Sequence, residues 1–167
     1  MFSINDYVVY QYWVCQVIDI KKLDYSEMGF KKDVTYYILR SLYEKETFYI
    51  PITNTDSVRK PLNKDDAISL IDSMPYLQTI EKLNDDEYRS VIHNYDCNSY
   101  ARIVKSIYRK NKYNSSIGKK LSNADSKYLH IAEKYLYDEL AFALNISAKD
   151  VDQYIKDRIE TQSSETA

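Results

Sequence analysis

Glycine is nearly absent from this chain: of 167 residues only Gly29 and Gly118 are glycine. A loop that cradles phosphate needs several glycines in one short stretch, so neither a P-loop nor a dinucleotide fingerprint can be assembled. Histidine is equally scarce. His93 and His130 stand on separate predicted helices, with no cysteine or paired carboxylate at ligand spacing, and a structural or surface role is expected for both. Cys15 and Cys97 are far apart and belong to no paired metal-ligand spacing. Both are read as reduced thiols. No apolar run approaches the roughly 20 residues that cross a bilayer, and the opening residues lack a basic stretch followed by an apolar one. A soluble, cytoplasmic, monomeric protein with no cofactor and no membrane partner is expected, and no catalytic constellation points to an enzyme. The net charge of −2 and pI near 5.7 exclude a surface that coats nucleic acid along its whole extent. Any such contact must be local.

What is present is a 44% hydrophobic content, ample for a packed core, distributed with two different periods. The first part alternates. Tyr7–Tyr10, Trp13–Ile20, Val34–Leu42 and Thr47–Ile52 are rich in β-branched and aromatic residues and are joined by short connectors such as Glu44-Lys45-Glu46. Close strands with no helix between them predict a small, curved antiparallel sheet, an SH3-like or Tudor-like β-barrel. Pro51 cannot donate a ladder hydrogen bond, so the fourth strand should lie at an edge or end there. An exposed edge is a natural place for strand addition by a partner.

The remainder follows a helical period. Asn63 caps a short helix over residues 63–72, with Asp65 and Asp66 in its first turn, and Met74-Pro75 stops it. Asn84 with Glu87 opens another helix, a third covers Ser99–Tyr113 with Tyr108 turned inward, and Ser122 with Asp125 starts the longest, ending at Asn145. Ser147 with Asp150 caps a last amphipathic helix. The expected organisation is α+β in two domains: a barrel over 1–62, a linker with a short helix over 63–83, an all-α helical bundle over 84–160, and a disordered polar tail over 161–167.

Charge is uneven along the bundle. Between Tyr100 and Lys127 lie Arg102, Lys105, Arg109, Lys110, Lys112, Lys119, Lys120 and Lys127 against the single acid Asp125. Arg102, Lys105, Arg109 and Lys112 step by three or four and share one predicted outward face. A phosphate-binding patch is the sharper reading of this run, and a solvated helix face the blander one.

Taken in order, these segments resemble the CarD/CdnL family of bacterial transcription regulators, whose N-terminal module is shared with the transcription-repair coupling factor. The likeness is carried by Phe2-Ser-Ile-Asn-Asp-Tyr-Val-Val-Tyr, Val14-Cys-Gln-Val-Ile-Asp-Ile, Tyr36-Tyr-Ile-Leu, Tyr49-Ile-Pro-Ile-Thr-Asn and Val58-Arg-Lys-Pro-Leu. In the helical half it continues through Ala101-Arg-Ile-Val-Lys-Ser-Ile-Tyr-Arg-Lys and the stretch from Tyr128 to Ala141. The resemblance implies a non-enzymatic transcription regulator. It would dock on the RNA polymerase β subunit and touch promoter DNA, weakly and without sequence preference, at the upstream edge of the bubble to modulate open-complex stability. The alternative is a polymerase-binding adaptor without DNA contact.

Carried over residue by residue, the polymerase contacts would be Lys22, Leu23, Thr47, Phe48, Tyr49 and Ile50. The basic run, with Arg89, supplies the candidate DNA contacts: Arg89, Arg102, Lys105, Arg109, Lys110, Lys119, Lys120 and Lys127. Two departures are plain: Asn5 stands where the family opening has glycine, and the helical half lacks the family's minor-groove tryptophan. Ile80, Leu83 and Tyr88 are the candidates to replace it as an apolar wedge.

Overall fold

The computed structural model describes residues 1–23 and 26–166, divided into two compact units, 1–61 and 62–167. The first is a five-stranded antiparallel sheet of β1 (Tyr7–Tyr10), β2 (Trp13–Lys22), β3 (Thr35–Ser41), β4 (Thr47–Pro51) and β5 (Val58–Arg59). Its spatial order is β4-β3-β2-β1-β5, and no ladder joins β4 to β5 among the described residues. The expected barrel is therefore an open sheet. Both outer strands are short, and β5 contributes only two residues, too few to bridge to β4.

Alternation decides which side chains are covered. Val8, Cys15, Val17, Tyr37, Leu39, Ile50 and Val58 form the main core on one face, with Trp13, Phe48 and Ile52 against it. The opposite face carries a smaller cluster of Leu23, Tyr36 and Ile38, closed by Ile18, Phe30 and Val34. The register of β2 shifts between Val17 and Asp19, and this irregularity lets one strand serve both clusters. Asn5 adopts φ 75°, in the left-handed region that glycine favours and asparagine tolerates. The exchange at the opening motif thus preserves the turn: Asn5 N–H still donates to Val17 C=O at 2.7 Å.

The second unit holds α1 (Lys64–Ser73), α2 (Asp85–Ile92), α3 (Cys97–Ser116), α4 (Asn123–Leu144) and α5 (Val151–Thr166). Residues 63–83 belong to this unit rather than standing apart as a linker, because Ala67, Ile71 and Ile80 are buried in it. All other helices pack on α4, whose buried Tyr128, Ala132, Leu136 and Leu140 repeat every four residues.

Local chemistry explains most of the boundaries. Asn63 and Asp66 form a reciprocal capping box, as do Ser122 and Asp125, and the Asn84 side chain accepts from Glu87 N–H. Helix α3 begins two residues earlier than expected because Asp96 supplies its cap, accepting from Ser99 N–H at 2.7 Å. Asn145 ends α4 in the left-handed conformation. The Ser147 side chain makes no cap; a 3-10 turn over Ala148–Asp150 leads into α5 instead. Where a disordered tail is expected, α5 continues through Thr166, while Ala167 lies outside the described residues. No Gly or Pro interrupts that stretch, and Arg158 ties the helix to Asp72 of α1 with bonds of 2.8 and 3.0 Å.

Candidate functional site

In the first unit the candidate contacts gather on β4. Ile52 N–H donates to Thr35 C=O at 3.0 Å and Ser41 N–H to Glu46 C=O at 2.9 Å. In an antiparallel ladder bonded pairs alternate with unbonded ones, so Tyr37–Ile50 and Leu39–Phe48 are the bonded pairs between. The backbone groups of Thr47 and Tyr49 therefore face away from β3. So does the carbonyl of Pro51, whose missing N–H costs the ladder nothing because it would have pointed outward. No strand pairs with this edge among the described residues.

Side chains split along the same alternation. Phe48 and Ile50 pack into the main core, where the Phe48 ring lies 4.7 Å from Trp13 and 5.0 Å from Tyr10. Tyr49 is 44% exposed on the opposite face, with its ring edge-on to Phe30 at 5.1 Å. Lys22 is exposed at the end of β2 opposite Thr35, two strands in from the β4 edge, so it does not belong to that edge. Leu23 is buried with Tyr36 and Ile38, which leaves its side chain unable to meet a partner. The edge thus offers backbone at Thr47, Tyr49 and Pro51, with Tyr49 as its accessible ring.

The cations of the second unit divide into two sets. Lys105, half-buried, donates to the carbonyls of Pro75 and Leu77 at 2.8 and 2.7 Å, satisfying the turn that follows α1. Arg102 Nε donates to Gln78 C=O at 3.0 Å, and the hydroxyl of Ser106 receives Ile80 N–H at 2.9 Å. Together these fasten residues 75–80 to α3. Arg89 pairs with Asp85 at 2.6 Å; a hydrogen bond with Tyr128, and then Asp85, raise its pKa further.

Lys110 has the most specific assignment. Its Nζ lies 2.7 Å from Oδ2 of Asp125, a carboxylate with 0% exposure, while Tyr88 OH donates to Oδ1 at 2.6 Å and Ser122 N–H to Oδ2 at 3.2 Å. Burial works to raise the Asp125 carboxyl, yet the bonds from Lys110, Tyr88 and Ser122 outweigh it and hold the pKa below the ordinary carboxylate value. Burial first, then the adjoining Asp125, push the Tyr88 hydroxyl upward.

Arg109, Lys112, Lys119, Lys120 and Lys127 form the second set: all are exposed, and none has a carboxylate partner among the described residues. Lys127 lies over the Tyr128 ring, 5.2 Å from its centroid. Tyr113 of α3 and Ile117, its C-cap, lie next to Lys112 and close to Lys119 in the chain and are 66% and 48% exposed. The three wedge candidates are placed differently. Tyr88 and Ile80 are buried, and Leu83 is half-buried, so Tyr88 and Ile80 serve the core. Tyr108, expected inward, is exposed and donates to Glu133. The short-range spacing in α3 did not reveal this, because Glu133 belongs to α4.

A small antiparallel sheet with a backbone edge left open offers a place where a partner strand can add. Residues 2–62 match the family described as the CarD-like/TRCF RID domain, and the N-terminal unit is similar to that RNA polymerase interaction domain. That family is one of interaction domains rather than of catalysts. No curated protein sequence matches the chain. Among the described residues no helix is long and apolar enough to cross a membrane.

Proposed function

We propose that this chain is a transcription regulator that docks on the β subunit of RNA polymerase through the free edge of β4 and contacts promoter DNA through its second unit. The observation that carries the reading is the unpaired β4 edge within a matched polymerase interaction domain. The sheet is read as a Tudor-like barrel left open, with the strand from polymerase adding beside Thr47 and Tyr49. The Tyr49 ring would border that strand, while Lys22, on β2, stands two strands in from it.

DNA contact is assigned to Arg109, Lys112, Lys119, Lys120 and Lys127, whose charges are not matched by carboxylates within the unit among the described residues. The apolar contact assigned by sequence to Ile80, Leu83 and Tyr88 passes to Tyr113 and Ile117, which are exposed and lie next to Lys112 and close to Lys119 in the chain. Such contacts modulate open-complex stability only in so far as they favour one promoter state, with a tenfold shift for about 1.4 kcal/mol of difference. A second reading, an adaptor without DNA contact, is favoured by the internal engagement of Lys105, Lys110 and Arg89.

The test is binding of the purified chain to the isolated β-subunit lobe of bacterial RNA polymerase, comparing wild type with Thr47→Pro and Tyr49→Pro. Both substitutions remove an N–H that faces outward and leave the bonds to β3 in place. Thr47→Pro is expected to weaken binding by about 3–10-fold, the worth of one hydrogen bond, and Tyr49→Pro by more, because it also removes the exposed ring. Trp13 fluorescence reports whether the sheet is intact, since its ring lies 4.7 Å from Phe48. Failure of the wild type to bind, or binding unaffected by both prolines in a folded sheet, would discard edge docking.

A further inference from the structure

Helices α3 and α5 both pack on α4, and between them runs an apolar groove of about 390 Å³ with Leu136 of α4 among its lining residues. One wall is built by Ala101, Val104, Lys105 and Tyr108 of α3, a set at positions i, i+3, i+4 and i+7. The other is built by Asp152, Ile155, Lys156 and Ile159 of α5, which repeats the same spacing. Two helices presenting that set toward a common trough leave between them the seat that another helix would fill. The α3 wall runs on to Arg109, which makes it ~12 Å long at the helical rise of 1.5 Å per residue. Two helical turns have that length, and two turns carry anchors at i, i+3, i+4 and i+7.

The charge around the groove is positive on balance. Lys105, Arg109 and Lys156 stand on its walls against Asp152, with Glu133 behind the lining Tyr108, whose hydroxyl donates to it. Asp152 and Lys156 pair with each other at 2.7 Å, Tyr137 OH donates to the same carboxylate at 3.1 Å, and Lys105 is held by the carbonyls of Pro75 and Leu77, which leaves Arg109, among the described residues, as the cation free to meet an occupant. Arg109 is exposed and has no carboxylate partner among the described residues. An occupant with acid on its flanks is therefore favoured over a basic one. The groove is also partly open along its length, whereas small ligands are held in sites that enclose most of their surface.

We propose that the groove between α3 and α5 seats an amphipathic helix of a protein partner, with apolar anchors at i, i+3, i+4 and i+7 and glutamate or aspartate beside them. This contact is separate from the β4 edge and does not depend on polymerase docking.

The experiment uses the full chain and a labelled peptide of about 16 residues, long enough to hold a helix in isolation, with leucines at the four anchor positions and flanking glutamates. A second peptide carries lysines in place of the glutamates. Fluorescence anisotropy measures affinity, and amide resonances locate the peptide on the chain. The acidic peptide is expected to bind about tenfold more tightly than the basic one and to shift resonances of α3 and α5. Arg109→Glu, at an exposed position that leaves the fold intact, is expected to narrow or reverse that preference, and Ile155→Glu to abolish binding. Equal affinity for both peptides, indifference to Arg109→Glu, or shifts away from the groove would overturn the proposal. So would saturable binding of dodecanoate in the groove with no binding of either peptide, which would make it a site for a small amphiphile.

Discussion

Replacing Lys110 with methionine keeps the length of the side chain and removes its charge, leaving the Asp125 carboxylate with 0% exposure and no cation at 2.7 Å. Removing one partner of a fully buried ion pair costs about 3–5 kcal/mol. Lys110 is 32% exposed, so water reaches its end of the pair, and Tyr88 and Ser122 continue to donate to the carboxylate. A loss of about 2–3 kcal/mol at neutral pH is the expected result. The pH dependence gives the sharper test. The folded-state pKa of Asp125 is depressed, so the stability it contributes is present above its unfolded value and is lost as pH falls through the folded one.

In the variant the chief depressing bond is gone and burial dominates, so protonation relieves the variant at a pH where the wild type is still charged. The gap between the two proteins should therefore be widest near neutrality and shrink between about pH 7 and pH 3. Urea unfolding followed by far-UV circular dichroism reads the helical unit, while Trp13, the one tryptophan, reports on the sheet. A loss below about 1 kcal/mol, or one equal at both pH values, would refute a coupled buried pair.

Three further outcomes are expected. Affinity for a short DNA duplex should fall by about 4–5 decades per decade of salt if all five exposed cations meet phosphates, and a flat response would exclude the patch. Burial pushes the Cys15 thiol up to about 12, and Cys97 is buried as well, so neither should react with a thiol reagent at about pH 8 until urea is added; rapid native labelling would contradict that packing. Leu140→Ala, at a fully buried position of α4, should cost about 2–5 kcal/mol in urea unfolding, and a smaller loss would mean that the core collapses around the site.

Short-range chemistry was legible in the chain itself. Alternating residues marked the main strands, and Asn63, Asn84, Ser122 and Asn145 marked helix ends through groups only a few residues away. Pro51 announced an edge because a missing donor is tolerated only there. Tertiary structure decided what the cations and aromatic residues do, since their partners lie far off along the chain. Lys105 bonds carbonyls 28 and 30 residues away, Tyr88 and Asp125 meet across 37, and neither spacing nor composition encodes such pairs. The same holds for the free side of β4, which exists because β3 occupies its other side, and for the groove that α3 and α5 leave open over α4. Helical period places a side chain on a face; only packing determines whether that face meets a carbonyl, a carboxylate or water.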